Sequence, residues 1–293
     1  MNINTQSFGI FDCRHPDARI RHCFSAMLQG VQKVSRSWFY ATDGKYHSCD
    51  IAIIFGATSQ LHPDTHLRQY ITEIHKEELG KALIVMEVGF VERSNYYSVG
   101  FNKHIGWGDY KNRNMPDDRW KLLRDKGVVM HPWRNNGEHI LVCAQIPNDT
   151  SIQYSMVKNH SRWCYEVVAS IRQHTGRPII FRYHPLSLVK GKLPFVLPEG
   201  CTVSSNKNIK EDFKNCWAVS TFNSTSGVDA VLAGIPVFIG CDGSMVDQIA
   251  NHDVSNIEQP ELPCRKQWAN DIAYTQWTLD EIRDGLPLSH LIK

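Results

Sequence analysis

The sequence contains no apolar run of about 20 residues, the length a helix needs to cross a bilayer, and so predicts no membrane span and no membrane partner. Its first residues show no basic segment followed by an apolar one, which is the pattern of a secretory signal. It also has almost no excess of either charge, because 32 basic residues stand against 30 acidic ones, for a net charge of +2. Composition alone therefore does not identify a nucleic-acid binder, although a basic face on part of the chain is compatible with this total.

Several chemical motifs are missing as well. The nine cysteines form no C-x-x-C pair, which favours reduced thiols in the cytoplasm over a disulfide framework or a zinc site. There is no D-x-D triplet of the kind that holds a metal ion on a diphosphate. Neither a G-x-S-x-G nucleophile turn nor a Walker loop is present. The sequence therefore predicts a cytoplasmic protein without a metal site.

The 293 residues are 42% hydrophobic and 21% charged, proportions typical of a folded globular protein. Short apolar runs alternate with amphipathic stretches along the chain. The runs predicted as strands are 8–11, 51–55, 82–88, 127–130, 139–145, 177–183, 201–203, 217–221 and 236–240. The stretches predicted as helices are 19–33, 65–79, 159–174, 208–215, 223–234 and 264–286.

Apolar strands that alternate with helices indicate a parallel sheet covered on both faces. Two such blocks predict an α/β protein with two Rossmann-like domains. Turn-forming residues at 132–137 place the boundary between an N-terminal domain, residues 1–136, and a C-terminal domain, residues 137–293, whose last helix is a candidate to cross back. A single large sheet is the competing interpretation.

The most informative segment is AVSTFNSTSGVDAVLAGIPVFIG, residues 218–240. It predicts a strand that ends at Thr221, a polar loop, a helix that ends at Gly234, and a further strand. The loop thus lies at the carboxyl end of a parallel strand and at a helix N-terminus, positions that favour an anion such as phosphate. Asp229, in the first turns of that helix, is within reach of ribose hydroxyls. The competing interpretation is that residues 223–226 only cap the helix.

This order of polar loop, acidic residue and A-G-I-P-V resembles the nucleotide-sugar site of GT-B glycosyltransferases. The resemblance implies two Rossmann-like domains that face a cleft, with the donor bound by the C-terminal one and the acceptor by the N-terminal one. It extends to RPIIFRYHP (177–185) and to VCAQIPND (142–149). The donor-binding residues it implies are Gln145, Arg182, His184, Thr221, Asn223, Ser224, Thr225, Ser226, Gly227 and Asp229. The acidic residue of that family is usually Glu, and here it is Asp229.

A closer resemblance covers most of the chain. It rests on ILVCAQIPNDTSIQ (140–153), WAVSTFNSTSGVDAVLAGIPVF (217–238), GSMVDQIAN (243–251), RKQWANDIAYTQWTLDEI (265–282) and YYSVGFNKHIGWGDY (96–110). These motifs resemble small phage-encoded proteins similar to the glycosyltransferases that modify hydroxymethylated pyrimidines in DNA. The resemblance implies transfer of glucose or arabinose from a nucleotide sugar, UDP-linked, to hydroxymethylcytosine in double-stranded DNA in the host cytoplasm. It implies no cofactor besides that UDP-sugar.

An inverting sugar transfer needs a base for the acceptor hydroxyl and groups that stabilise the departing nucleotide. Three carboxylates of the N-terminal half are candidates for the base. Asp109 lies in the loop GWGDY, beside Trp107. Glu87 ends a predicted strand, and Asp12 follows the first strand. Asp109 is preferred because of the neighbouring glycines and the stacking surface of Trp107, but each carboxylate is also compatible with a cap or an ion pair, and a retaining enzyme needs no separate base.

An enzyme that acts on a base in duplex DNA flips that base out of the stack and holds it against aromatic or apolar side chains. Basic and aromatic residues are interleaved in the N-terminal half, a pattern that suits phosphates and stacked bases. The candidates for DNA binding are Arg93, Tyr96, Tyr97, Asn102, Lys103, His104, Trp107, Lys111 and Arg113. A solvated loop with aromatic anchors is the competing interpretation.

Two other functions are compatible with these motifs. The first is a glycosyltransferase of bacterial surface polysaccharide synthesis, with a cytidine or uridine nucleotide as the carrier. The second is a non-catalytic nucleotide-binding module, since a fold does not determine a function.

Overall fold

The computed structural model describes residues 6–12, 17–56, 65–147, 149–153, 155, 157, 159–188 and 193–292. The chain divides into two compact units: unit 1 is Met1–Trp120 with Ala269–Lys293, and unit 2 is Lys121–Trp268. The described strands are β1 (Phe8–Phe11), β2 (Trp38–Ala41), β3 (Ile51–Phe55), β4 (Ala82–Val88), β5 (Tyr96–Phe101), β6 (His139–Cys143), β7 (Ile179–Arg182), β8 (Cys201–Val203), β9 (Cys216–Thr221), β10 (Val237–Ile239) and β11 (Gln276–Thr278). The described α-helices are α1 (Ala18–Val34), α2 (Thr65–Tyr70), α3 (Asp118–Asp125), α4 (Thr150–Gln153), α5 (His160–His174), α6 (Ile209–Asp212), α7 (Ser226–Leu232), α8 (Lys266–Ala273), α9 (Leu279–Arg283) and α10 (Leu286–Leu291).

The division between the units lies at residue 120, whereas the sequence prediction placed a boundary at residue 136. The segment between these positions is hydrogen-bonded to unit 2. His131 N donates to Leu232 O (2.8 Å), and Arg134 Nη1 donates to Phe213 O (2.6 Å). The turn-forming residues at 132–137 therefore belong to a segment that packs on unit 2 and do not form a linker.

Residues 269–293 complete unit 1. Strand β11 pairs antiparallel with β5, and Trp277 stands opposite Tyr97. Arg119 Nη1 donates to Glu281 Oε1 (2.7 Å), and the Arg119 guanidinium lies 3.9 Å from the centre of the Trp277 ring. The helix predicted over 264–286 is therefore wrong in its middle, because the free edge of β5 pairs with Gln276–Thr278.

The unit 1 sheet has six strands in the order β11-β5-β4-β3-β1-β2. Strands β2, β1, β3 and β4 run parallel, and β5 runs antiparallel to β4. All side chains of β1 and β3 are buried, as expected for continuous apolar runs covered on both faces. The carboxyl ends of β1, β3 and β4 form one edge of the sheet, called here the carboxyl edge of unit 1.

Helices cover both faces of this sheet. On one face α1, α9 and α10 pack against the strands, and Met27, Ile53 and Ile282 are among the core residues. On the other face α2 and a π-helical continuation, Ile71–Glu78, cover a second core around Ile54. α1 begins at the predicted place because the Asp17 side chain accepts a hydrogen bond from the backbone of the first turn.

The unit 2 sheet is parallel throughout, in the order β10-β9-β6-β7-β8. The chain enters at β6, adds β7 and β8 on one side, and then crosses to add β9 and β10 on the other. Because the strand order reverses between β6 and β9, the loops that follow these two strands diverge and leave a crevice at their carboxyl ends. The predicted α/β fold is confirmed; the sheet of unit 2 is parallel, as predicted, and that of unit 1 is parallel except at β5 and β11.

One predicted strand is wrong. Residues 127–130 form no regular element, and Val129 is 56% exposed. None of the described helices combines the length and the apolar character that a bilayer crossing requires.

Candidate functional site

Two buried amide side chains, Gln145 and Asn223, join the carboxyl ends of β6 and β9. Gln145 Nε2 donates to Asn223 Oδ1 (2.8 Å), and Asn223 N donates to Gln145 Oε1 (3.0 Å). They are 6% and 2% exposed, respectively. The pair lies at the reversal of strand order in unit 2, the position at which open α/β sheets bind ligands.

Further hydrogen bonds fix this amide pair. Asn223 Nδ2 donates to Ser151 O (3.0 Å), and Gln145 N donates to His160 Nε2 (2.8 Å). The His160 ring stacks on Trp163 with 5.4 Å between ring centres, and burial lowers the pKa of His160 to about 4. The polar side-chain atoms of Gln145 and Asn223 are thus hydrogen-bonded within the protein. In this structure these two predicted donor ligands position the loops that follow β6 and β9.

Three more of the predicted donor residues also face the interior of unit 2. Thr221 is fully buried and donates through Oγ1 to Cys143 O (3.3 Å), and Ser226 is 9% exposed. A Cβ atom on Gly227 would lie 3.2 Å from Val246 Cγ2. The glycine therefore allows α7 to pack closely on its neighbours.

The remaining donor-loop residues, Ser224, Thr225 and Asp229, are partly exposed and form the accessible face of the site. Ser224 Oγ accepts a hydrogen bond from Ser226 N (3.2 Å), and Ser224 O accepts one from Gly227 N (3.0 Å). Ser224 Oγ thus takes up the first N–H of α7, although the N-cap position itself belongs to Thr225. An anion that binds at the start of α7 would compete with Ser224 for the Ser226 N–H.

Arg182, the last residue of β7, forms a buried ion pair with Asp212. Nη1 of Arg182 lies 2.6 Å from Asp212 Oδ2, and the two side chains are 9% and 1% exposed. Arg182 also donates from Nη1 to Asn206 O (2.8 Å) and from Nη2 to Lys207 O (3.0 Å), while Asp212 accepts from Ser204 Oγ (2.7 Å). The guanidinium therefore holds the segment after β8, and its charge is already neutralised within unit 2.

An open cavity of about 370 Å³ lies beside Arg182, at the carboxyl ends of β7 and β8. This volume is in the range of small-molecule sites. The cavity is lined by Arg182, Tyr183, Pro185, Leu188, Leu193, Val203, Ser204, Ser205, Asn206 and Lys207. His184, predicted for donor binding, caps the short turn Pro185–Ser187, because its Nδ1 accepts from Leu186 N (3.2 Å).

Two of the three predicted base candidates lie at the carboxyl edge of unit 1. Asp12, after β1, is 8% exposed and accepts a hydrogen bond from the Tyr40 hydroxyl (2.6 Å). Burial and the Asp12 carboxylate raise the pKa of Tyr40 above its ordinary value. Glu87, near the end of β4, is partly exposed, and its Oε1 accepts from Val88 N (2.8 Å).

The third candidate, Asp109, lies at the opposite edge of the same sheet. Its backbone pairs with Phe101, which ends β5 beside Ile84, near the start of β4. Its Oδ2 lies 2.7 Å from Lys111 Nζ, and its Oδ1 accepts from Lys111 N (3.1 Å). The structure thus brings Asp12 and Glu87 to one edge and leaves Asp109 in an ion pair away from them.

The residues predicted to bind DNA do not form one surface. Tyr96 and Tyr97 are each 3% exposed within β5, so their rings are core groups. Arg93 is exposed in the turn between β4 and β5, at the carboxyl edge.

The other predicted DNA-binding residues follow β5 to the opposite edge of the sheet. Lys103 lies 5.8 Å from the centre of the Trp107 ring, in a cation–π contact, and Lys111 is paired with Asp109. Those that follow β5 are Asn102, Lys103, His104, Trp107, Lys111 and Arg113.

The sequence prediction missed a buried arginine at the carboxyl edge of unit 1. Arg68 of α2 is 6% exposed and donates from Nη1 to Phe55 O (3.0 Å). The available signal was its spacing, because Arg68 lies three residues before Ile71 and thus on the apolar stripe of a predicted helix.

Among the described residues, no three His, Cys, Asp or Glu side chains are grouped as a metal site requires. The described cysteines are free thiols. Burial raises the pKa of the Cys143 and Cys164 thiols to about 12, so neither is poised as a nucleophile.

Two solved structures have the same fold over nearly the whole chain. The β-Kdo 2,7 transferase of Thermosulfurimonas dismutans KpsC is 15% identical, with a TM-score of 0.55, and the match covers 98% of this chain and 100% of that one. The β-Kdo 2,4 transferase of the same KpsC is 13% identical, with a TM-score of 0.55, and the match covers 92% and 90% of the two chains. No family model and no curated protein matches the sequence. The likeness shows the fold, which is of the GT-B type, as the sequence predicted.

Proposed function

We propose that the protein is a glycosyltransferase that uses a nucleotide sugar as donor. One observation carries the proposal. The strand order of the unit 2 sheet reverses between β6 and β9, and at this place the Gln145–Asn223 pair holds the start of an accessible polar loop. Parallel sheets of this kind bind nucleotides at that point. The fold shared with two transferases supports the same conclusion.

The donor nucleotide is assigned to the accessible side chains of this region. Ser224 and Thr225 offer hydroxyls at the N-terminus of α7, which favours the phosphate groups. Asp229, on the first turn of α7, is the acceptor for the ribose hydroxyls. Gln145, Asn223 and the Arg182–Asp212 pair hold the loops around them.

Glu87 is proposed as the base of an inverting transfer. Its carboxylate is partly exposed at the carboxyl edge of unit 1, and no described cation forms an ion pair with it, whereas Asp109 is bonded to Lys111. As the acceptor oxygen attacks the sugar carbon, Glu87 takes the hydroxyl proton and the bond to the nucleotide breaks. The nucleotide leaves with the electron pair of that bond, and its added negative charge is stabilised by the loop at α7.

The acceptor proposed from the sequence resemblance is hydroxymethylcytosine in double-stranded DNA, with UDP-glucose or UDP-arabinose as the donor. Arg93 is the predicted DNA contact that lies at the same edge as Glu87. The proposal needs no metal ion, which agrees with the lack of a D-x-D triplet in the sequence.

A bacterial surface polysaccharide is the second candidate acceptor. It is favoured by the burial of Tyr96 and Tyr97, which removes two of the aromatic rings that a flipped base would need. The solved structures of similar fold are named as Kdo transferases, so a sugar chain is included among the acceptors to be tested.

Donor binding is tested by calorimetric titration of UDP and CMP. We expect one of them to bind, and Asp229→Asn to weaken it about fivefold, the effect of losing roughly 1 kcal/mol of hydrogen bonding. Glu166→Gln, an exposed change in the same unit, is the control. The donor assignment fails if neither nucleotide binds or if Asp229→Asn binds as well as the control.

Transfer is tested by incubation with a panel of UDP- and CMP-linked sugars and either hydroxymethylated or unmodified duplex DNA. Digestion and mass spectrometry of the nucleosides then report any added sugar. A mass gain on hydroxymethylcytosine supports DNA as the acceptor, and a gain only on bacterial surface oligosaccharides supports the second candidate. Nucleotide binding without transfer to any acceptor would indicate a non-catalytic module and contradict the proposal.

A further inference from the structure

The guanidinium of Arg68 is buried, and no counter-ion among the described residues pairs with it. It is 94% removed from solvent, its only described hydrogen bond runs from Nη1 to Phe55 O, and no described carboxylate lies within ion-pair distance. Its Nε and Nη2 atoms are buried and have no hydrogen-bond partner among the described residues. An unpaired buried charge is costly, so proteins rarely keep one unless a partner arrives.

The two unbonded nitrogens lie on one side of the guanidinium. In arginine, Nε–H and one N–H of Nη2 point in parallel, and this fork matches the two oxygens of a carboxylate or a phosphate. The Nη1 bond to Phe55 O fixes the orientation of the fork. Arg68 is thus preorganised to accept one oxyanion in a bidentate geometry.

The surroundings of Arg68 place its guanidinium beside Glu87, the proposed base. Gly56 follows β3 with a φ of +71°. A Cβ atom on Gly56 would lie 2.7 Å from Arg68 Nη1 and 3.5 Å from Glu87 Oε2. The guanidinium and the Glu87 carboxylate therefore flank the same glycine, at the carboxyl ends of β3 and β4.

We propose that Arg68 binds an oxyanion of the acceptor, a carboxylate or a phosphate, and so positions a neighbouring acceptor hydroxyl at Glu87. This inference rests on the proposed function and adds the chemical class of the acceptor. The same guanidinium fork serves either oxyanion, and the experiment separates the two sources.

The experiment titrates inorganic phosphate, and separately glucuronate as a simple sugar acid, into the full chain. Arg68→Met keeps the aliphatic stem and removes the fork, and Arg68→Lys keeps the charge without the bidentate geometry. Arg36→Met, at an exposed arginine of unit 1, is the matched control. Binding is followed by calorimetry, and thermal unfolding with and without each anion shows whether every variant is folded.

We expect saturable binding of at least one anion, which also raises the unfolding temperature of the wild type. Arg68→Met should weaken that binding by about tenfold or more, as expected for the loss of charge-assisted hydrogen bonds. The affinity of Arg68→Lys for the anion should lie between those of the wild type and Arg68→Met. Without added anion, Arg68→Met should be at least as stable as the wild type, because an unpaired buried charge has been removed. Tighter binding of phosphate indicates a phosphate-bearing acceptor, and tighter binding of glucuronate a carboxylate-bearing one.

The inference is overturned if the wild type binds neither anion across millimolar concentrations, or if Arg68→Met binds them as well as Arg36→Met does. A folded Arg68→Met that is clearly less stable than the wild type without anion would also overturn it, because Arg68 would then have a structural role. A parallel titration with UDP distinguishes failure of this inference from failure of the proposed donor site. UDP binding without anion binding refutes this inference alone, and anion binding at Arg68 without binding of UDP or CMP refutes the proposed donor site alone.

Discussion

Gln145 and Asn223, 78 residues apart in the sequence, exchange hydrogen bonds in both directions at the ends of β6 and β9. This pairing closes the base of the proposed donor site. It also explains why two amide residues occur where the sequence resemblance implied direct ligands. Their amides are bonded to each other, and their contribution to binding is the position of the loop that carries Ser224 and Thr225.

We expect Gln145→Ala to lower the free energy of unfolding by about 1–3 kcal/mol, because it leaves the buried Asn223 N–H without an acceptor. Asn223→Ala should have an effect of similar size. The double variant should lose less unfolding free energy than the two single variants together, since the hydrogen bond between the residues can be lost only once. Urea denaturation of the four proteins measures this coupling.

Gln173→Ala, an exposed change on α5, is the control for loss of a glutamine side chain. Additive effects of the two single changes, or a cost for Gln145→Ala equal to that of the control, would contradict the role of the pair.

The Arg182–Asp212 ion pair yields a second prediction. Arg182→Met should destabilise unit 2 by about 3–5 kcal/mol, because Asp212 would remain buried and charged without its partner. Replacing both residues by apolar ones, Arg182→Met with Asp212→Leu, should recover a large part of the loss. Chemical denaturation compares the two variants.

A weakened affinity for nucleotide in Arg182→Met alone would not show that Arg182 contacts the donor, since the segment after β8 would be disturbed as well. The prediction is wrong if the single variant is as stable as the double one.

In unit 1 the sequence predicted the central strands and missed β2, β5 and β11, which lie at or near the edges, whereas in unit 2 all five strands were predicted, including the edge strands β8 and β10. Strands β1, β3 and β4 were predicted with their observed bounds because each is a mainly apolar run. Strand β5 was interpreted as an aromatic surface segment, although it pairs with the neighbouring β4; its second partner, β11, covers its other edge and comes from the far end of the chain. A local pattern carries no information about such a distant partner.

For the candidate site, the sequence predicted where the donor loop lies but not which side chains face outward. Thr221 and Ser224 are both hydroxyl residues of one short segment, yet the first is fully buried and the second is accessible. The Arg182–Asp212 pair has no sequence signature that separates it from surface charges, and the spacing that places Arg68 on an apolar stripe does not reveal how its guanidinium is bonded. Their burial is decided by tertiary packing.

His160 makes stability depend on pH in acid. Burial lowers its pKa to about 4 in the folded protein, whereas an unfolded histidine titrates near pH 6.5. Between these values the unfolded state binds a proton that the folded state does not. The free energy of unfolding should therefore fall as pH decreases from about 6.5 to 4, by at most roughly 3 kcal/mol from this group.

Urea denaturation of the wild type and of His160→Gln across this range measures the contribution. The glutamine variant keeps a hydrogen-bond acceptor near Gln145 N but does not titrate, so the difference in unfolding free energy between the two proteins should change with pH. His174→Gln, exposed at the end of the same helix, should show little of this change. A difference that stays constant from pH 7 to about pH 4 would contradict the buried, neutral state of His160.

The side chain of Gln276, in the C-terminal segment, holds the turn at Phe90 and Val91 on the carboxyl edge of unit 1. Its side chain is fully buried, and Oε1 accepts from Phe90 N (2.7 Å) and Val91 N (2.9 Å), while Nε2 donates to Val91 O (2.9 Å). Gln276→Ala leaves these backbone groups unpaired in the turn that follows Glu87. We expect a loss of roughly 2–5 kcal/mol in unfolding free energy and faster amide hydrogen exchange at Phe90 and Val91. Gln32→Ala, exposed on α1, is the control, and equal stability of the two variants would show that the turn is held by other contacts.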